Sequence, residues 1–284
     1  MRKRSHTKHR GCGCVIVVAW LILTLGAFTL LRACLFNHGY NYDYDGSWDT
    51  SYSSGSYYDS ASFWQQDGRI FYESEDGTVG KTGVDVSAYQ ADIDWWAVAA
   101  DGIDFAMIRM AWRGNTDGYL HEDICFEQNW AGTQEVGIPC GVYFFSQAVT
   151  VDEAREEAVF ALDLLAGRKL AYPVVFDYEA NDGHRLAGID RETATACART
   201  FCDIISEGGY EPMIYGNRYD LQYLDISQLS DIPIWFAEYS QAPSFEEPFA
   251  MWQYTSSGSV AGIGTPADLN LSFSTAPSTE GESL

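Results

Sequence analysis

Between residues 81 and 273 the chain alternates short apolar runs with amphipathic stretches. The runs GVDVS (83–87), FAMIRMA (105–111), PCGVYFFS (139–146), YPVVFDYE (172–179), PMIYGN (212–217), IPIWFAEY (232–239), FAMWQYT (249–255) and ADLNLSF (267–273) have the length and β-rich composition of strands. Helical periodicity separates the early ones, over roughly 94–100, 122–137, 151–166 and 191–207. The third helix opens on Thr150 with Glu153 three residues later, a capping box, and stops at Gly167. Strands separated by helices pair in parallel, and eight of them predict a closed barrel. The gaps after the later strands are too short for full helices, and the region is small for eight complete βα units. The expected fold is therefore α/β: an irregular, trimmed TIM-like (β/α) barrel over 81–275, with eight strands and fewer than eight helices.

The flanks have a different character. Residues 14–31, CVIVVAWLILTLGAFTLL, carry no charge and are long enough to cross a bilayer as one helix. Five basic residues precede them, so the positive-inside rule places a basic tail (1–13) in the cytoplasm, a transmembrane signal anchor over 14–36, and the body outside the cell membrane. An alternative is lipid anchoring through Cys34, because Leu31-Arg32-Ala33-Cys34 loosely resembles a bacterial lipobox. Residues 37–80 are rich in Ser, Tyr, Asp and Gly and read as a flexible tether, with a short strand possible at 69–73. Residues 276–284 read as a C-terminal tail.

Charge narrows the partners. Forty acidic residues face 17 basic ones, a net charge of −23, and six of those basic residues lie in the first 32 positions, where no acid occurs. A body this acidic is unsuited to nucleic acid, whose phosphates need a positive surface. Four of the seven cysteines, Cys125, Cys140, Cys197 and Cys202, lie in the body. Cys197 and Cys202 are about 140° apart around a helix and poorly placed to bond each other; the choice between other bridges and free thiols stays open. The body has no C-x-x-C and only two histidines beyond the tether, His121 and His184, so neither a zinc site nor another metal is expected.

Candidate chemistry centres on AYPVVFDYEAN, residues 171–181. Alternation along a strand puts Asp177 and Glu179 on one face with Val175 behind them. Two crowded carboxyls on a mostly buried strand raise the pKa of at least one, as a general acid requires, although two solvated acids at a strand end would read alike. Active sites of such barrels lie at the carboxyl ends of the strands. Asp85 on the first strand and Asp268 on the eighth also fall there, and closure makes those strands neighbours. Arg109 either balances this charge or forms a structural ion pair. Tyr89, Trp112, Tyr143, Tyr215, Trp235, Tyr239, Trp252 and Tyr254 crowd the same ends. Acids ringed by aromatics suit a sugar chain, whose faces stack on rings and whose hydroxyls bond to acids.

The order GVDVSAYQADIDW, FAMIRMAWRG, GVYFFSQA, VVFDYEA, PMIYGN, WFAEYS and MWQYTSSGSVAGIGTPADLN resembles family 25 of the glycoside hydrolases, the Ch-type lysozymes or N-acetylmuramidases, from about Gly83 to Phe273. The resemblance implies a cofactor-free peptidoglycan hydrolase acting on the β-1,4 bond between N-acetylmuramic acid and N-acetylglucosamine. It implies Glu179 as general acid, Asp177 as its partner, and Asp85 and Asp268 as further site acids. Substrate-binding residues are expected among Arg109, Tyr143, Tyr215, Trp235, Tyr239, Gln253 and Asn270. The chain departs from the pattern at Phe144, where many members carry a histidine. No wall-binding repeat is recognisable, so anchoring could replace one. Other readings are a membrane-tethered glycan-binding protein without catalysis and a chitinase-like amidosugar hydrolase.

Overall fold

The computed structural model describes residues 56–180 and 185–273. The apolar stretch 14–31, the basic tail, most of the expected tether and the C-terminal tail lie outside the described residues. Among those described, no helix is long and apolar enough to cross a membrane.

In chain order the strands are β1 Phe63–Gln66, β2 Arg69–Tyr72, β3 Lys81–Val86, β4 Phe105–Arg113, β5 Leu120–Glu122, β6 Cys140–Ser146, β7 Val174–Tyr178, β8 Pro212–Asn217, β9 Ile234–Ala237, β10 Met251–Gly258 and β11 Ala267–Ser272. The helices are α1 Trp95–Ala100, α2 Phe126–Val136, α3 Val151–Leu165, α4 Arg191–Glu207 and α5 Arg218–Leu221. The main sheet runs β3-β11-β10-β9-β8-β7-β6-β4-β5, and β3 also pairs with β4, so eight strands close a barrel and β5 extends from β4. The expected trimmed barrel is present, with one difference. Strand β11 is antiparallel to both β10 and β3, whereas alternating units had implied parallel pairing throughout. The connection from Gly258 to Ala267 is too short for the dozen or more residues a parallel crossover needs, so the chain turns straight back.

Helices α3 and α4 form where the sequence supplies caps and a buried stripe. In α3 the buried positions are Ala154, Glu157, Ala158, Ala161 and Leu165, a helical spacing that lays small residues against the sheet. Thr150 accepts the Glu153 N–H at 3.2 Å as expected, but the Glu153 carboxylate reaches the Val149 N–H at 2.8 Å, one residue before the cap. In α4, Asp190 caps by accepting the Thr193 N–H.

The barrel separates two apolar compartments. Outward-facing strand residues pack under the helices; Phe144 belongs here, fully buried against Phe201 of α4, so it lies away from the barrel interior. The interior is filled at its base by Phe105, Met107, Tyr172, Val175, Met213, Trp235 and Met251. Phe105 stacks on Tyr172 at 4.4 Å, and Gly83 makes room for it, because a Cβ there would lie 2.2 Å from the Phe105 ring.

Residues 57–80 are not tether. β1 and β2 form an antiparallel hairpin beside the barrel, and Tyr58 stacks on Phe273 at 4.1 Å while its hydroxyl donates to the Phe249 carbonyl at 2.7 Å. Ile70 and Tyr72 are buried with them. Serine and aspartate obscured this segment by composition; aromatic burial overrides them. The four body cysteines are free.

Candidate active site

Alternation along the strands turns one residue in two into the barrel, and above the apolar base these inward positions become polar. Asp85 and Asp268 are direct cross-strand partners, which the antiparallel β11 achieves by placing Asp268 near its start. Asp85 is 4% exposed, and its Oδ2 accepts the Gln253 Nε2–H at 3.0 Å and the Asn270 Nδ2–H at 2.8 Å.

The direction of these bonds is forced from behind. An indole N–H can only donate, and that of Trp235 donates to Asn270 Oδ1 at 2.9 Å, leaving the Asn270 amide N–H to point at Asp85. The Tyr215 hydroxyl at 2.9 Å and the Tyr239 hydroxyl at 3.1 Å donate to Gln253 Oε1, turning its N–H the same way. Asp85 is thereby held as a pure acceptor, a carboxylate. Burial pushes its pKa up and the two amides oppose the rise. Asp268, hydrogen-bonded to Asp85, is pushed well above the carboxylate range by burial and then by the charge of Asp85. The proton between them therefore belongs to Asp268.

Asp177, at the end of β7, is 5% exposed, and its Oδ1 has no hydrogen-bond partner. Burial first, then the charges of Glu179 and Asp85, raise its pKa well above the usual range, with Arg109 opposing. Glu179 lies just beyond the strand and is half-buried. Its charge reaches Asp177, Tyr215, Tyr239 and Asp268, so the four acids form one electrostatic cluster.

Arg109 turns its ion pair elsewhere. Its Nε donates to Asp123 Oδ2 at 2.7 Å, and its guanidinium lies over the rings of Tyr89 at 5.0 Å and Trp112 at 5.1 Å. Both roles considered for it are thus partly met: a structural pair with Asp123 and a positive field at Asp177. Tyr143, half-buried beside Arg109, has its hydroxyl pushed well above its normal pKa by burial.

The aromatic ring sorts into three groups. Tyr89 and Tyr239 are more than half exposed, with the Tyr239 hydroxyl directed inward to Gln253, and Trp112 is half-buried. Trp235, Gln253 and Asn270 are almost fully covered and stand beneath and behind Asp85 rather than around an opening. Trp252 and Tyr254, expected at the strand ends, face the other compartment, where Trp252 meets Phe63 of the hairpin. Two buried acids near the cluster were not anticipated. Asp123 fixes Arg109 and also accepts the Ala88 N–H; Asp220 accepts the Ala180 N–H. Asp220 had a local signal, the Asn217-x-x-Asp220 capping box that starts α5. Among the described residues no group of three or more His, Cys, Asp and Glu is arranged to hold a metal ion.

The family model described as Glycosyl hydrolases family 25 matches residues 84–263. The chain belongs to that family. The autolytic lysozyme of Clostridium acetobutylicum is 27% identical over 191 residues, covering 66% of this chain and 54% of that protein. The modular autolysin LytC of Streptococcus pneumoniae, solved with a synthetic peptidoglycan ligand, superposes with a TM-score of 0.62 at 24% identity, over 74% of this chain and 51% of that one. A family 25 glycosyl hydrolase from Bacillus anthracis superposes with a TM-score of 0.61 at 22% identity, over 74% and 96%. The chain thus spans about half the length of the first two relatives. At these identities the two superpositions speak for the shared fold.

Proposed function

We propose that the protein is a peptidoglycan hydrolase, an N-acetylmuramidase that cleaves the β-1,4 bond between N-acetylmuramic acid and N-acetylglucosamine. The observation that carries the reading is the convergence of Asp85, Asp177, Glu179 and Asp268 on one face of a family 25 barrel, with Asp85 fixed as an acceptor. Glu179 is the more exposed member of the D-x-E, which supports its reading as the residue that meets a glycosidic oxygen. In this reading it gives its proton to that oxygen as the bond to the anomeric carbon breaks and an oxocarbenium-like centre develops. Asp177 projects from the same side of the strand, so it does not oppose Glu179 across the sugar. It instead orients the 2-acetamido group, its unpartnered Oδ1 meeting the acetamido N–H. The acetamido oxygen then attacks the anomeric carbon from the opposite face, and water opens the resulting ring with Glu179 taking back a proton, giving retention.

The negative charge on Asp85 favours the positive transition state, while Asp268 stays neutral beside it. Tyr89, Trp112 and Tyr239 supply ring faces for flanking sugars, and Arg109 and Tyr143 border the reacting unit. The N-terminal apolar stretch 14–31 supports delivery of this barrel to the outer face of a cell membrane.

The test incubates the full-length chain and Glu179→Gln with purified peptidoglycan, and with chitin oligomers alongside, followed by mass spectrometry. Muropeptides with reducing-end N-acetylmuramic acid, released by the wild type alone, are expected. Cleavage confined to chitin points to an amidosugar hydrolase of another specificity, and wild-type activity in Glu179→Gln removes Glu179 from the mechanism. Proton NMR of the first-formed anomer then separates retention from inversion, in which Asp85 or Asp268 would activate water.

A further inference from the structure

Asp220 takes no part in the steps above, yet it is 1% exposed and tied directly to the catalytic strand end. Its Oδ1 accepts the backbone N–H of Ala180, the residue after Glu179, at 2.8 Å across 40 positions of sequence. Its other oxygen accepts the Asn217 N–H at 3.4 Å, and its own N–H donates to Asn217 Oδ1 at 3.0 Å. The carboxyl is therefore immobilised from both sides and bridges the end of β7 to the end of β8. A buried acid is a poor choice for a purely structural bridge, since an amide could accept the same N–H without the cost of burying a charge.

A carboxyl differs from an amide in accepting on both oxygens, one for Ala180 and one for Asn217. Burial, then the charge of Glu179, raises Asp220 to about 7, with the Ala180 and Asn217 N–H groups opposing. Below about pH 7 Asp220 is therefore mostly neutral, and what it gives Glu179 is position. Among the described residues, those that feel the charge of Glu179 include Asp177 from β7, Tyr215 from β8, Asp220 from α5, Tyr239 from the loop after β9 and Asp268 from β11. Asp220 is itself faced by Asp177, Tyr178 and Glu179.

We propose that Asp220 is a positioning residue for the general acid: it pins the chain behind Glu179 by tying the Ala180 amide to the end of β8. This rests on the reading of Glu179 as proton donor.

The experiment measures kcat/KM against pH on purified peptidoglycan for the full-length wild type, Asp220→Asn, Asp220→Ala and Glu179→Gln. Asp220→Asn keeps an oxygen for the Ala180 N–H and removes the charge. Its plateau activity should stay within about threefold of wild type. Asp220→Ala loses the anchor as well, and its plateau should fall more than tenfold. Equal plateaus for Asp220→Asn and Asp220→Ala overturn the anchor. Activity surviving in Glu179→Gln overturns the general-acid assignment instead, which separates the two failures. Should Asp220→Asn fail to fold, amide hydrogen exchange gives a second measurement. The Ala180 amide should be protected in the wild type and exchange faster in Asp220→Ala, and equal exchange sinks the proposal.

Discussion

Replacing Asn270 by alanine tests whether the relay behind Asp85 sets its ionisation. Asn270 gives Asp85 one of its two amide hydrogen bonds, at 2.8 Å, and takes the Trp235 N–H at 2.9 Å. A hydrogen bond to a buried charge contributes about 1.5–3 kcal/mol, and a buried donor left without an acceptor costs about 1–3 kcal/mol. Asn270→Ala should therefore destabilise the fold by about 3–5 kcal/mol, read from urea unfolding. The lost bond acts on the charged form of Asp85 alone, and its 1.5–3 kcal/mol corresponds to a rise of about 1–2 pH units in the carboxyl's pKa. The sign follows directly. A group that must be ionised and now holds its proton more tightly moves the acid limb of kcat/KM to higher pH. Trp235→Phe keeps the ring, removes the N–H that orients Asn270, and should shift the limb the same way by less. An acid limb unchanged in a folded but destabilised Asn270→Ala protein would refute the relay.

Two further outcomes follow from the packing. Glu157 is fully buried between the Arg113 Nε at 2.7 Å and the Ser146 hydroxyl at 2.6 Å, and burial raises its pKa to about 7. The native state keeps a proton that the unfolded chain releases above about pH 4.3, so this group's contribution to stability falls by about 3 kcal/mol between that pH and about 7. Glu157→Gln should flatten that part of the pH dependence in urea titrations; the same slope in both proteins would contradict it. Gly83→Ala drives a methyl into the Phe105 ring and should cost about 1–3 kcal/mol or more, visible as a lowered melting temperature, and an unchanged one would show that the base of the barrel is looser than described.

The barrel strands were legible because both of their faces are buried, which leaves short, nearly continuous apolar runs such as YPVVFDYE. Strand direction was not. ADLNLSF reads alike whether β11 runs parallel or antiparallel, and only the short connection before it decides. The Tyr58 segment was hidden because its aromatic partners, Phe249 and Phe273, lie about 200 residues away and no local period announces them. At the site, alternation alone placed Asp177 beside Glu179, and barrel closure paired Asp85 with Asp268. The donor relay escaped the sequence, since Gln253 and Asn270 meet Asp85 across 168 and 185 residues and their amides are oriented by a third layer. Asp123 was hidden for a similar reason: its partner Arg109 lies on another element, 14 residues earlier.

The antiparallel β11 also fixes which way the cleft looks. Because that strand starts at the acid cluster and runs down the barrel, Ser272 ends opposite Lys81, at the pole farthest from Glu179, and Phe273 there stacks on Tyr58. The body's first and last residues thus meet at one pole while the carboxylates open at the other. Chain that joins the barrel at Tyr57 or leaves it at Phe273 does so at the pole opposite the acid cluster.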